Sequence, residues 1–271
     1  MTDGDDGPKE YQLFEKGKKE PRTEPFKGSR NFTGEGLAKY VDAEGEWSDT
    51  YKGLFIDGRR QGKGIYTFKA NGDRYEGQFE DNCKHGFGKM TYEKSYGDPE
   101  KDEADPKPPP RGGTYLGYYD GGQRGTQAKV PDGVHSEGTF TFANGDIYVG
   151  QWRSGKKHGK GTYTYGQDDT KLVGDWEDGR ITNGRWIFPN GMFYAGKFRC
   201  NKPFGKGVWV LANGNQLVGE YVQKDKVVDE DVGDDPDPSV PKPMPQVWCY
   251  FKHGKATMVH GGTMFKQKPL T

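Results

Sequence analysis

A unit of 22 to 24 residues recurs along the chain, and it constrains the fold more than any other feature of the sequence. Its first half places an aromatic residue, a glycine and a second aromatic residue at alternate positions, as in Tyr148, Gly150 and Trp152. Its second half opens with Gly-x-Gly and continues as an alternating run, as in residues 159–165. Because alternate residues of a β-strand share one face, each unit predicts a pair of strands with one aromatic face.

Copies of this unit cover most of the chain. The copies begin at Phe26 (a degenerate one), Tyr51, Tyr75, Tyr115, Tyr148, Leu172 and Tyr194, and Leu217 begins a first half that has no recognisable second. Asn-Gly pairs at 71–72, 144–145, 190–191 and 213–214 join the end of one unit to the start of the next. Asn-Gly between alternating runs predicts a hairpin with a type I′ turn, in which both residues have positive φ.

Consecutive hairpins of this kind predict the fold class. We expect an all-β protein, an elongated single-layer twisted antiparallel meander of β-hairpin repeats with extended N- and C-terminal arms. Composition divides the chain into an N-terminal arm (1–25), the repeat sheet (26–223, with a proline- and charge-rich insertion at 93–110), an acidic, proline-rich linker (224–246) and a C-terminal docking segment (247–271).

The composition suits one sheet better than two packed layers. Only 31% of the residues are hydrophobic, while 14% are aromatic and 43 are glycine, so aliphatic side chains are too few for a thick core. An aromatic face without a covering layer is a large apolar surface, and such surfaces mark interaction sites. We therefore expect partner binding by the aromatic face at Tyr51, Phe55, Tyr75, Phe79, Tyr148, Trp152, Trp176, Trp186, Tyr194, Phe198 and Trp209.

Short apolar stretches in the two arms are candidates to cover part of that face. Residues 247–259 form a hairpin-like segment that is too small to fold by itself, so it must dock on the sheet or on another protein. The predicted docking residues of the arms are Leu13, Phe14, Trp248, Tyr250 and Phe251.

Charge excludes a general attraction to nucleic acid or to anionic membranes, because forty basic and forty acidic side chains cancel. Local basic patches remain in corresponding loops of two units. One interpretation is that these loops bind acidic phospholipids or an acidic protein surface, and the other is that they form a solvated edge. The basic loops consist of Arg59, Arg60, Lys63, Lys156, Lys157 and Lys160.

The sequence predicts no catalytic residue, no cofactor and no metal site. Residues 155–161 resemble a phosphate-binding loop, but the glycine spacing is wrong and a strand follows instead of a helix. His85 and His158 share one repeat position, which favours a local structural role. The cysteines show neither metal-ligand nor disulfide spacing, and they stand at Cys83, Cys200 and Cys249. A polar N-terminus and no long apolar run predict a soluble protein of a reducing compartment.

The Tyr-x-Gly-x-Trp units, the His-Gly-x-Gly segments and the Asn-Gly turns resemble MORN repeats (membrane occupation and recognition nexus). The resemblance covers residues 51–221. It implies an elongated antiparallel sheet that serves as a scaffold. MORN proteins occur in membrane-apposed scaffolds, as appendages of enzymes, and in the radial spokes and doublet-microtubule complexes of cilia.

A chain of repeats plus arms is most similar to the ciliary scaffolds. That similarity implies a non-enzymatic scaffold of the ciliary or flagellar axoneme, located in the cytoskeleton, with axonemal proteins as partners and tubulin among the candidates. The alternatives are a phospholipid-binding scaffold at a membrane and an accessory module of an enzyme complex. No nucleic-acid partner is expected.

Overall fold

The computed structural model describes residues 11–23, 28–41, 45–93, 112–125, 137–225 and 247–257. Within these ranges the chain forms seventeen β-strands and no helix, so no helix there is long and apolar enough to cross a membrane. Most of the predicted insertion and of the predicted acidic linker lies outside the described residues. The chain divides into two compact units, residues 1–157 and 158–271.

The first unit is a run of antiparallel strands that pair in chain order, except that β8 and β9 both pair with β7. Its first strand, from the N-terminal arm, pairs with the degenerate copy of the repeat. The strands are β1 (Tyr11–Glu15), β2 (Gly34–Val41), β3 (Trp47–Ile56), β4 (Arg59–Thr67), β5 (Arg74–Glu80), β6 (Cys83–Tyr92), β7 (Gly113–Asp120), β8 (Gln123–Arg124), β9 (Glu137–Phe142) and β10 (Ile147–Arg153).

The second unit repeats the same antiparallel pairing, and β11 begins at the boundary between the units. Its last strand comes from the C-terminal segment and supplies the partner that the repeat beginning at Leu217 lacks. The strands are β11 (Lys156–Thr164), β12 (Lys171–Glu177), β13 (Arg180–Ile187), β14 (Phe193–Arg199), β15 (Lys202–Val210), β16 (Gln216–Asp225) and β17 (Val247–Thr257).

A row of glycines fixes the register of the strands, because glycine faces glycine at pair after pair. At several positions of the row, the tyrosine two residues earlier in the strand lays its ring over the glycine and leaves no room for a side chain. A Cβ at Gly77 would lie 2.4 Å from the Tyr75 hydroxyl oxygen and 2.6 Å from the Cα of Gly88. The glycine row comprises Gly36, Gly53, Gly64, Gly77, Gly88, Gly117, Gly138 and Gly150 in the first unit, and Gly161, Gly174, Gly184, Gly196, Gly207 and Gly219 in the second.

The first glycine of Gly-x-Gly has a different task from the second. Gly86 has a φ of 58° and lies where the pairing of β5 with β6 shifts, between the pairs Gly77–Gly88 and Gln78–His85. This bulge requires the left-handed conformation, which costs glycine little. The motif therefore combines a bulge residue with a residue that leaves room for a ring.

The type I′ prediction for the Asn-Gly turns is wrong, although these pairs do join successive hairpin strands. Gly72 has a φ of 74°, whereas Asn71 is not among the residues with positive φ. The Asn71 side chain instead accepts a hydrogen bond from the backbone N–H of Asp73 at 3.0 Å. Such Asx turns are the other common use of asparagine in loops. The two-residue turns with positive φ at both positions lie between the two strands of a single repeat, for example at Asp57–Gly58.

The all-β antiparallel meander of repeats is confirmed. Within the repeats it follows from local pattern, since the strands there pair with neighbours close in sequence, whereas β17 pairs with β16 across residues 226–246.

Candidate functional site

The tyrosine-bearing side of the sheet, here called the aromatic face, carries a ladder of rings. In the first unit each ring meets the next nearly edge-on, with ring centroids 5.0 to 5.3 Å apart and interplanar angles of 78° to 89°. Aromatic pairs prefer this edge-to-face geometry. The ladder runs through Phe55, Tyr51, Phe79, Tyr75, Tyr119, Tyr115, Trp152 and Tyr148.

Hydrogen bonds hold the leading tyrosines of the ladder in place. The Tyr75 hydroxyl donates to the Gln78 carbonyl oxygen at 2.9 Å, three residues along the same strand. The same bond recurs at Tyr51, Tyr115 and Tyr148, with distances of 3.0 to 3.1 Å. Burial raises the pKa of all four hydroxyls, so they remain protonated donors at physiological pH. These tyrosines are structural.

The aromatic face, which the sequence predicts as a large apolar surface for the arms and a partner to cover, is mostly covered by other side chains of the described chain. Nine of the eleven aromatic residues predicted to bind a partner are buried, and only Trp186 and Trp209 are half-exposed. Partner binding by this face therefore stays a prediction. Only the side chains that solvent reaches can contact a partner directly. The buried ones are Tyr51, Phe55, Tyr75, Phe79, Tyr148, Trp152, Trp176, Tyr194 and Phe198.

Cations cover the ladder in the first unit. Each stands two residues after a hairpin turn and extends over the leading tyrosine of its repeat. Arg60 lies 5.8 Å from the ring centroid of Tyr51, and Lys84 lies 5.9 Å from that of Tyr75. Arg124 is 5.7 Å from Tyr115 and 5.0 Å from Trp152, and Lys157 is 5.6 Å from Tyr148. We call this set, Arg60, Lys84, Arg124 and Lys157, the cation row.

At the positions that correspond to the cation row, the second unit has apolar side chains. The position of the cation row is occupied there by Ile181, which pairs with Trp176, and by Pro203, which pairs with Phe198. Ile181 is only 1% exposed. An apolar side chain therefore suffices to cover an aromatic ring at this position.

The cation row lies in a partly desolvated place. Burial lowers the pKa of Lys157 to about 8, although the charge of Asp146 opposes that effect. Arg60 has a buried Nε atom without a hydrogen-bond partner among the described atoms. Arg124 donates to the Gly155 carbonyl oxygen at 3.1 Å. Charged groups in such places cost free energy unless something pairs with them.

The predicted basic loops therefore divide between two environments. Arg60 and Lys157 belong to the aromatic face and are half-buried, whereas Arg59, Lys63, Lys156 and Lys160 are exposed. Arg59 forms an ion pair with Asp81 at 2.9 Å, and Lys160 forms one with Asp175 at 2.5 Å. The six residues therefore do not share one environment.

The arms join the sheet through backbone pairing. Leu13 is buried and lies over Gly36, while Phe14 is half-buried, with the Lys39 ammonium 5.1 Å from its ring centroid. Phe251 lies over Gly219 and 5.0 Å from the ring of Tyr221, so it takes the place of a leading tyrosine. Tyr250 is exposed, and of Trp248 the structure describes only its backbone pairing with Lys224.

The remaining candidates for chemistry show only local contacts. His85 lies 3.1 Å from the Glu80 carboxylate, and its side chain is half-exposed. All three cysteines are free. Within the described ranges no cluster of three His, Cys, Asp or Glu residues is placed to hold a metal ion.

The face opposite the aromatic face carries an exposed apolar cluster on β6 and β7. Phe87 is 50% exposed and contacts Tyr118 with ring centroids 5.6 Å apart, and Leu116 is 44% exposed. Phe87 stands where other repeats have Lys63, Lys160 or Lys206.

Comparison with known sequences identifies the repeat. The profile of the MORN repeat matches residues 51–73, 75–95, 132–147, 148–170 and 194–216. The chain carries five MORN repeats. The pair β12 and β13 lies outside these matches, yet Gly174 faces Gly184 there as in the MORN repeats. No curated protein sequence matches the chain.

Solved structures show only a faint likeness. The SAS-4 (dCPAP) TCP domain of Drosophila melanogaster, solved with a proline-rich motif of Ana2 (dSTIL), is 14% identical, with 68% of this chain and 77% of that chain covered and a TM-score of 0.24. The wild-type TCP10 domain of Danio rerio CPAP is 10% identical, with coverages of 68% and 89% and a TM-score of 0.22. At this level, the likeness supports neither fold nor function.

Sequence reasoning missed two members of the cation row, Lys84 and Arg124. The prediction was based on clusters of adjacent cations in the loops, and Lys84 and Arg124 each have no cation next to them in sequence. The signal that finds them is the position two residues after the turn, where strand alternation directs the side chain to the aromatic face.

Proposed function

We propose that this chain is a non-enzymatic structural scaffold of the ciliary or flagellar axoneme. Support comes from the way the described chain is used. Repeated strand pairs build each unit, and β1 and β17 from the two terminal regions complete the same sheets. MORN repeats are generally scaffolds and not catalysts, and ciliary proteins made of such repeats are the ones this chain resembles.

In this proposal the scaffold binds neighbouring proteins through the solvent-reached side chains of the aromatic face and through its arms. The half-exposed aromatics Trp186 and Trp209 and the half-exposed arginines of the cation row, Arg60 and Arg124, are parts of that face open to a partner. The predicted docking segment continues past β17 through residues 258–271, which lie outside the described residues. Axonemal proteins, tubulin included, are the proposed partners.

The observation that carries the proposal is the order of the repeats: within each compact unit, successive repeats place equivalent residues on a regular surface. A regular surface suits a partner that is itself regular or extended. The phospholipid alternative depends on the exposed cations of the basic loops, and two of these, Arg59 and Lys160, are already paired with carboxylates.

Detergent fractionation of isolated cilia tests the proposal. A tagged full-length chain should remain with the detergent-insoluble axoneme, and the Arg59→Ala/Lys156→Ala variant should remain there equally. Release of the wild-type chain with the detergent-soluble membrane fraction, or its absence from cilia, would contradict the axonemal assignment. Loss of the variant alone would favour the phospholipid alternative.

A further inference from the structure

The positive charge of the cation row is not explained by the need to cover the rings. Ile181 and Pro203 occupy the same repeat position in the second unit, so the structural task requires no charge. The first unit nevertheless carries a cation at every such position, namely Arg60, Lys84, Arg124 and Lys157. A partly desolvated charge is unfavourable in the free protein.

The two arginines of the row form no ion pair within the part of the chain that the structure describes. None of the ion pairs found there includes Arg60 or Arg124. Asp49 is buried nearby but accepts a hydrogen bond from the Tyr66 hydroxyl at 2.9 Å and one from the Lys69 backbone at 3.1 Å. Both guanidinium groups belong to half-buried side chains that solvent still reaches.

We propose that the cation row of the first unit binds an acidic segment of a partner protein. The inference rests on the proposed scaffold function and specifies the chemistry of its partner. Carboxylates pair with guanidinium groups in charge-assisted hydrogen bonds, which are stronger where water is partly excluded. The aromatic rings beneath the row keep the stems of the cations in fixed positions, so less side-chain freedom is lost on binding.

The spacing of the row restricts the form of that segment. Arg60, Lys84 and Arg124 lie on β4, β6 and β8, each separated by one intervening paired strand. Strands lie about 4.8 Å apart, so successive cations are about 9.5 Å apart. A polyproline II segment repeats every three residues and about 9.3 Å. It therefore presents a carboxylate to each cation when every third residue is acidic.

The difference in exposure indicates that the arginines make the main contacts with the acidic segment. Lys84 is only 9% exposed, so Arg60 and Arg124, about 19 Å apart, are the main contacts of the row. These two residues correspond to positions six residues apart in the bound segment.

Binding of fluorescein-labelled peptides to the full chain, followed by anisotropy, tests this proposal. The probes are (Asp-Pro-Pro)5, a block peptide with the same five aspartates in succession and the same ten prolines, and (Ser-Pro-Pro)5. We expect the wild-type chain to bind (Asp-Pro-Pro)5 roughly 10-fold more tightly than the block peptide and to show no measurable affinity for the serine peptide. Binding should weaken as salt is added.

Variants assign the contact to the cation row. Arg60→Ile/Arg124→Ile copies the residue that the second unit uses, and we expect it to lose roughly 100-fold in affinity for (Asp-Pro-Pro)5. The matched control Arg59→Ala/Lys156→Ala removes two exposed cations, each adjacent in sequence to a member of the cation row (Arg60 and Lys157), and should change affinity less than threefold. If the isoleucine variant does not fold, Arg60→Gln/Arg124→Gln removes the charges with polar side chains.

The outcomes separate the inference from the scaffold proposal. Equal binding of the charge-matched peptides, or unchanged binding by both arginine variants, would overturn the inference. So would binding to phosphatidylserine vesicles that requires Arg60 and Arg124 while the peptides fail to bind. None of these results would alter the fractionation of the chain with the axoneme, which tests the scaffold function separately.

Discussion

The tyrosine hydroxyls differ between the repeats, and this gives a test of the ladder. The Tyr75 hydroxyl donates to the Gln78 carbonyl, while the buried Tyr194 hydroxyl has no partner among the described residues. We expect Tyr75→Phe to lower the free energy of unfolding by about 1–2 kcal/mol, because a buried hydrogen bond is lost. Tyr194→Phe should be neutral or stabilising. Urea unfolding of the two variants measures this, and equal losses would contradict the account.

The glycine row is predicted to tolerate no side chain. Gly77→Ala places a methyl group against the Tyr75 ring and the Gly88 backbone, and we expect a loss of about 3 kcal/mol or more. Gly254→Ala is the matched control, since its nearest neighbour outside the adjacent residues is the Val218 carbonyl oxygen at 3.5 Å. Thermal unfolding followed by circular dichroism compares them. A small effect at Gly77 would mean that the ring does not occupy the row.

Lys157 gives the aromatic face a pH dependence. Burial lowers its pKa to about 8, so between pH 8 and about 10.5 the unfolded chain binds more protons than the folded chain. The stability contribution of Lys157 therefore rises with pH across that window. Above pH 10 the buried tyrosines oppose it, because burial raises their pKa and the unfolded chain ionises first.

We expect the unfolding free energy of the wild type, relative to that of Lys157→Met, to increase by about 1–2 kcal/mol between pH 7.5 and pH 9.5. Methionine keeps an apolar stem over Tyr148 but has no charge to desolvate. Lys156→Met, one residue away and exposed, should track the wild type. A constant difference between wild type and Lys157→Met would show that Lys157 is not desolvated.

Residue roles were harder to predict from the sequence than residue positions. The alternation of Tyr148, Gly150 and Trp152 places them on one face, and the structure agrees. The alternation does not show that the Arg60 and Lys84 side chains fold back over the rings, because that contact depends on side-chain conformation and on the turn two residues earlier. The burial of the aromatic face was missed for this reason.

At the scale of the element, β17 determines how the second unit ends. Its residues 247–257 pair with β16, and Phe251 covers Gly219. Truncation after residue 246 removes this strand. We expect the amides of β16 to lose protection from hydrogen exchange, since half of their pairing disappears, while β3 to β7 keep theirs.

Truncation after residue 257 is the matched control, and it should leave the protection of β16 unchanged. If β16 kept its protection without β17, the C-terminal segment would be an independent docking arm, as the alternative interpretation of the sequence has it. The sequence showed that β16 lacks a partner within the repeats. It did not show which segment supplies one, because the acidic, proline-rich stretch 226–246 separates the two strands.

At the scale of the whole chain, the antiparallel meander was predictable because the repeats pair with neighbours close in sequence and each repeat restates the register. The pairing of β16 with β17 is the exception. The boundary between the two units near residue 157 was not predictable, since the repeat at Tyr148 resembles those on either side of it. What the chain binds depends on which side chains solvent reaches. Their exposure depends on side-chain contacts, such as those of the cation row with the rings, which the repeat motif does not specify.

Site-specific photocross-linking in isolated axonemes tests the central claim most directly. A benzophenone side chain replaces Phe68, a half-buried residue 5.7 Å from the Lys84 ammonium, or Leu116 on the opposite face. We predict that the Phe68 position cross-links to an axonemal protein through a segment rich in Asp or Glu, and that this product is lost in Arg60→Ile/Arg124→Ile. Cross-links from Leu116 alone, or none from the aromatic face, would contradict the account.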